Sequence, residues 1–165
     1  MENLNKVEES SIQVNEMVNV ILGDSLNELD SYMENVRNAF IKNQEILDDD
    51  LNKIILRIPT YIYNLIVLAQ QIEMKKGLTK EDAKYAYNEA LLNATGKTVG
   101  DKAAQAENQT VQHRITQMAY TTAASIVSKK MEGAMAILDS ARKVQAARSK
   151  EKVLTGMASN AVGAF

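Results

Sequence analysis

Gly96-Lys97-Thr98 carries the residue types that close a phosphate-binding loop. Backbone N–H groups beside a glycine, with a lysine ammonium nearby, match phosphate oxygens. The complete motif needs a glycine five positions before its second one, and that position is Leu91. It also needs a preceding strand, whereas a helical pattern precedes it here. The segment therefore reads as a helix–helix connector. What chemistry it retains is contact with a nucleic-acid phosphate through Gly96, Lys97, Gly100 and Lys102. His113 is the single histidine and stands beside Arg114. A general base needs a partner and a pocket, and spacing assigns it neither. A surface or interhelical hydrogen bond is the expected role. The carboxylates Glu81/Asp82 and Asp48–Asp50 could suggest a metal. Di-metal bundles use Glu-x-x-His, and the residue three before His113 is Thr110. Solvated acidic faces and helix-dipole complementation account for these carboxylates. No catalytic residues, no metal site and no cofactor are expected.

Tyr61, Tyr63, Tyr85, Tyr87 and Tyr120 could stack on unpaired bases, as in single-strand binders. Rings at apolar helical positions more often pack inside. Tyr63 and Tyr87, beside Asn64 and Asn88, are the candidates for exposure and stacking.

The elements that must position these residues are helices. The chain has 165 residues, 7 glycines, 1 proline and no cysteine, so turns are few and thiol chemistry and disulfides are excluded. A chain of this length buries roughly 70% of its unfolded surface. The N-terminus is acidic and polar and lacks the basic start and apolar run of a secretory signal. Ile54–Ile72 is the most apolar stretch, but Arg57, Pro59 and Asn64 interrupt it. A membrane span needs ~18 clean apolar residues, so a core helix, no membrane partner and a cytoplasmic location are expected.

Val14, Met17, Val18 and Ile21 predict a short helix ending near Gly23. Ser25 with Glu28 forms a capping-box pattern, and Asp24 is an alternative cap. A long helix should follow, with Asp48-Asp49-Asp50 interrupting its stripe and Pro59 breaking or kinking it. A third helix is expected from Thr60 to about Lys76, capped by Gly77. Thr79 with Asp82 opens a fourth, running through Ala94. Asp101 caps a last helix from about Lys102 to Arg148 or beyond. Its expected seam is Val111, Ile115, Met118, Thr122, Val127, Met131, Ala134, Leu138, Ala141 and Gln145. Roughly 45 helical residues would span about 70 Å. Small seam residues such as Ala123, Ala124, Ala134 and Ala141 invite close packing and self-association. No strand pattern survives. The expectation is an all-α, elongated helical bundle with one long C-terminal helix. Residues 1–23 form an acidic arm, 24–150 the helical domain and 151–165 a flexible tail that could dock Phe165 into a neighbour.

Charge is sorted along this chain. Residues 1–51 hold 12 acidic and 3 basic side chains; residues 52–165 hold 9 acidic and 16 basic. Lys129, Lys130, Arg142, Lys143, Arg148, Lys150 and Lys152 crowd the C-terminal part. They form either a solvated helix face or a phosphate-tracking surface. The acidic segment could compete with nucleic acid for that surface.

The order of features from about residue 55 to 150 resembles a known family. It comprises Tyr61-Ile62-Tyr63-Asn64-Leu65, then Ala83-Lys84-Tyr85-Ala86-Tyr87, then the loop Thr95–Gly100. Ala119-Tyr120 and Ala134-Met135-Ala136-Ile137-Leu138-Asp139-Ser140-Ala141-Arg142 follow. The likeness is to the UvsY-like recombination mediators of tailed phages and lies in spacing and residue class. It implies an all-helical, ring-forming homo-oligomer that binds single-stranded DNA. It also implies a recombinase and a single-strand-binding protein as partners, in the host cytoplasm for a phage-encoded chain. The family's DNA-contacting basic residues lie in the helix before the glycine loop. Asn88 and Ala90 stand there in this chain, so Lys80, Lys84 and Lys97 would have to substitute. The expected DNA contacts are Lys80, Lys84, Lys97, Lys102, Lys129, Lys130, Arg142 and Lys143. The alternative is a helical interaction protein, a phage structural or scaffold component or an inhibitor of a host factor, that binds no nucleic acid.

Overall fold

The computed structural model describes residues 2–41 and 46–162, with side-chain surroundings for 7–41 and 46–154. Among the described residues five helices appear in order: α1 (Glu2–Leu22), α2 (Asn27–Ile41), α3 (Asp48–Asn93), α4 (Val99–Gln109) and α5 (Val111–Val162). The described residues contain no strand. The chain is all-α.

Gly23 ends α1. Its φ of +49° is left-handed, and its N–H donates to the Asn19 carbonyl at 2.8 Å. The helix it closes has 21 residues, longer than the short one expected. Glu28 and Asp30 lie in the first turn of α2, where carboxylates complement the helix dipole.

Asp48, Asp49 and Asp50 begin a helix and do not interrupt one. They fill the first turn of α3, and the Leu47 carbonyl accepts from the Asp50 and Leu51 N–H groups. Three adjacent carboxylates are favourable at the positive end of a helix.

Pro59 does not break α3, which is helical without interruption from Asp48 to Asn93. Proline costs about 3 kcal/mol in a helix interior. Leu51, Ile54 and Ile58 are at most 4% exposed, and each buried side chain of this size contributes about 1.5–3 kcal/mol. Packing therefore outweighs the missing N–H. Gly77 and Thr79 likewise lie within α3 and do not separate two helices. The Thr79 hydroxyl donates back to the Lys75 carbonyl at 2.9 Å, so it does not act as an N-cap. By length and mean hydropathy, α3 is the only helix among the described residues that could cross a membrane; 22% of its apolar window is buried.

The expected last helix is two helices. Thr98 is the N-cap of α4, and Asp101 is its capping-box partner. The Thr98 Oγ1 accepts from the Asp101 N–H and the Asp101 Oδ2 accepts from the Thr98 N–H, both at 3.1 Å. Thr110 separates α4 from α5 at φ −107° and ψ 10°. It is 3% exposed, and its hydroxyl donates to the Ala106 carbonyl at 2.8 Å. The 52 residues of α5 span about 78 Å. Helix continues through residues 151–162, which the sequence suggested as a flexible tail. Phe165 lies outside the described residues.

The chain forms two compact units. Unit 1 comprises Met1–Leu26 and Leu65–Lys129; unit 2 comprises Asn27–Asn64 and Lys130–Phe165. Unit 1 buries Val14 and Val18 of α1, Leu65 and Ile72 of α3, and Ile115, Ala119, Ala123 and Val127 of α5. Val111 and Met118 are 40% and 57% exposed, so the buried seam of α5 does not follow the expected Val111–Ile115–Met118–Thr122 path. Alanine at 119 and 123, each 0% exposed, lets neighbouring backbones approach closely. Unit 2 buries Leu29 and Val36 of α2, Leu51, Ile54 and Ile58 of α3, and Ala134, Leu138 and Ala141 of α5.

Candidate nucleic-acid interface

In unit 1, Lys80 and Lys84 stand one turn apart on α3, and both are exposed. Lys97 lies in the α3–α4 connection and Lys102 in the first turns of α4. The connection folds tightly onto the helix it starts. A Cβ at Gly96 would meet the Lys102 backbone nitrogen at 2.8 Å and the Asp101 carbonyl carbon at 2.9 Å. Glycine is thus required by close approach, and the loop acts as a connector between helices. Thr95 extends the closure by donating its N–H to the Gln105 Oε1 at 3.1 Å. Among the described residues, Lys80, Lys84, Lys97, Lys102 and Lys129 make no ion pair, and each is exposed.

The basic residues of unit 2 are differently placed. Residues 27–64 carry seven acidic and four basic side chains, and residues 130–165 carry six basic and three acidic. Lys130 reaches Asp30 at 2.6 Å. Arg148 reaches Asp48 at 3.1 Å, and Lys152 pairs with the other oxygen of the same carboxylate. Arg142 is 3.9 Å from Asp139, while Lys143 is exposed. Part of the charge division along the chain is thus matched inside unit 2. Hydrogen bonds from Lys152 and then Arg148 hold the Asp48 carboxyl below the usual carboxylate range. Lys53 is raised by hydrogen bonds to Asp49 and Asp50.

Tyr63 is 74% exposed and Tyr87 is half-buried. Tyr85, which was not singled out for exposure, is 70% exposed. Tyr61 packs on Tyr32 with ring centroids 5.5 Å apart, and Arg57 lies over the Tyr32 ring at 5.8 Å. Burial pushes the Tyr32 phenol up, and Arg57 opposes this. Tyr120 receives the Lys75 ammonium over its ring at 5.8 Å. These contacts give Tyr61 and Tyr120 structural partners.

His113 has a carboxylate partner that spacing could not assign. Its Nδ1 lies 2.9 Å from Asp82 Oδ2, linking α5 to α3 within unit 1. Both side chains remain well exposed. Among the described residues no three side chains of metal-binding type gather.

The fold defines an all-α protein whose unit 1 presents exposed lysines that make no ion pair among the described residues. Comparison with family models, curated proteins and solved structures gives no match.

Proposed function

We propose that the protein is a non-enzymatic mediator of DNA recombination that binds single-stranded DNA through unit 1. The observation that carries this reading is the contrast between the two sets of basic residues. Lys80, Lys84, Lys97, Lys102 and Lys129 are exposed without ion pairs among the described residues, whereas Lys130, Arg148 and Lys152 face carboxylates. A phosphate meeting the first set displaces only water and counterions. A phosphate meeting the second set must compete with an aspartate. Lys80, Lys84, Lys97, Lys102 and Lys129 of unit 1 therefore form the primary contact; in unit 2, Lys130 and Arg142 bind phosphate more weakly because Asp30 and Asp139 compete, and exposed Lys143 is a separate contact. The UvsY-like resemblance supplies the remainder of the proposal, a recombinase and a single-strand-binding protein as partners.

Fluorescence anisotropy of labelled oligo-dT at two salt concentrations tests the reading. Each single-strand phosphate neutralised contributes roughly 0.7 log unit of affinity per log unit of salt. Joint replacement of Lys80, Lys84, Lys97 and Lys102 by alanine should flatten that slope, and Lys130→Ala should change it little. No binding at low salt would refute the proposal. It would leave the second reading, a helical interaction protein, which is favoured by exposed apolar residues along α3.

A further inference from the structure

Unit 1 leaves one face of α3 apolar and uncovered. Val67, Met74, Leu78, Tyr85 and Leu92 are 59%, 61%, 63%, 70% and 86% exposed. At 3.6 residues per turn they fall within an arc of about 40°. Leu65, Ile72, Ala83 and Ala90, the residues of the same helix buried in the unit, centre about 150° away. The helix thus has two apolar faces, and the fold of the unit covers one. Singly exposed apolar residues need no explanation, but an aligned row of five over 26 residues does.

The spacing of the row is that of a coiled-coil seam. Val67 and Met74 occupy one heptad position, d, and Leu78, Tyr85 and Leu92 the other, a. The row is also symmetric about the midpoint between Thr79 and Lys80. Reversal about that point carries Val67 onto Leu92 and Met74 onto Tyr85. It carries Gln71 onto Asn88, matching an amide with an amide. Two antiparallel copies of the helix would therefore layer each apolar residue against another apolar residue. The exception is Leu78, which meets Glu81. The flanking charges agree with this pairing. Lys75 of each copy, whose ammonium also lies over the Tyr120 ring of its own chain, would face Asp82 of the other, twice by the two-fold axis, and no flanking like-charge pair is created. Asp82 keeps one oxygen for His113 and remains 68% exposed. The paired length is nearly four heptads, enough for a sustained seam.

We infer that the outer face of α3 in unit 1 is a two-fold dimer interface, occupied by the same face of a second copy in antiparallel register. Such an interface is isologous and closes at two subunits, unlike the ring that the family resemblance implies. Gln71 and Asn88 form two symmetry-related polar layers that fix the register. Lys84 and Lys80 point away from the seam centre by about 100° and 140°, so dimerisation leaves them open.

The test uses the full chain, whose lack of cysteine makes introduced thiols unambiguous reporters. Under mild oxidation Val67→Cys with Leu92→Cys should give a covalent dimer. Either substitution alone should give little, because the two copies of one position lie about 38 Å apart. Sedimentation velocity over a concentration series should show a dimer. Met74→Asp with Leu78→Asp should raise its dissociation constant by roughly 100-fold or more, since carboxylates would be buried without partners. These positions are exposed in unit 1, so helical content by circular dichroism should hold. Glu81→Leu should tighten the dimer by roughly tenfold or more, by replacing the one charged seam residue. A purely structural role for the row would not produce that gain. Ready cross-linking by Val67→Cys alone would overturn the antiparallel register. A monomer at all concentrations would overturn the inference, and co-sedimentation of that monomer with phosphatidylcholine vesicles would assign the row to lipid.

Discussion

Arg148 places Nη1 3.1 Å from the carboxylate of Asp48, 100 residues earlier in the chain. The same nitrogen donates to the Ile46 carbonyl, and Lys152 adds a second cation to Asp48. Within unit 2 the acidic start of α3 is therefore tied to the basic far part of α5. The residues that give the sequence its charge division meet one another here.

This contact should make unit 2 acid-sensitive. The folded state holds Asp48 below its ordinary value, first through Lys152 and then through Arg148. A depressed carboxyl contributes stability above its unfolded pKa and loses it as pH falls through the folded pKa. The loss therefore lies below the usual aspartate value of about 4. Urea midpoints at about pH 7 and about pH 3 should differ less in Asp48→Asn than in the parent. Equal differences in both proteins would show that Asp48 carries no such linkage.

The alanine seam of α5 should tolerate little added volume. Ala123 is 0% exposed. Ala123→Leu adds three carbons to a packed site and should cost about 1–3 kcal/mol by chemical denaturation. Ala136→Leu, at an exposed position of the same helix, should stay within about 0.5 kcal/mol. Equal effects at both sites would mean that Ala123 lies in slack space.

Pro59 offers the opposite sign. It lies in the helical run of α3 and supplies no N–H to the Ile55 carbonyl. Pro59→Ala should raise stability, by up to about 3 kcal/mol. A rise in the urea midpoint with unchanged far-ultraviolet dichroism is the expected result. A fall would mean that the ring packs more favourably than the missing bond costs.

The helical class was legible because apolar residues recur at three and four over most of the chain. Boundaries were less so. Pro59 and Gly77 have the chemistry of breaks, but burial of Leu51, Ile54 and Ile58 carries the helix past the first. Glycine in a helix interior costs only about 1 kcal/mol, so α3 continues through Gly77. Asp48–Asp50 suits both a surface interruption and a helix start, and only the tertiary fold decides. Thr98 and Asp101 form a capping-box pattern readable in sequence, and the structure makes Thr98, not Asp101, the N-cap. The candidate lysines could be named from type. Separating Lys84 from Lys130 needed Asp30, which is 100 positions from its partner. Tyr85 was an ambiguous ring until the buried face of α3 was known. Its phase with Met74 and Leu78 was the available signal.

The interleaving of the units bears on how the chain finds its fold. In unit 1 the contact between Asp82 and His113 closes 31 residues. In unit 2 the contact between Asp48 and Arg148 closes 100. A loop about three times longer costs about 1 kcal/mol more in closure entropy. Local contacts also form faster than distant ones. The hairpin of α3, α4 and α5 is therefore the natural early structure of this chain. The loop between Asp48 and Arg148 spans that hairpin, and early hairpin formation shortens it by holding residues 82 and 113 together.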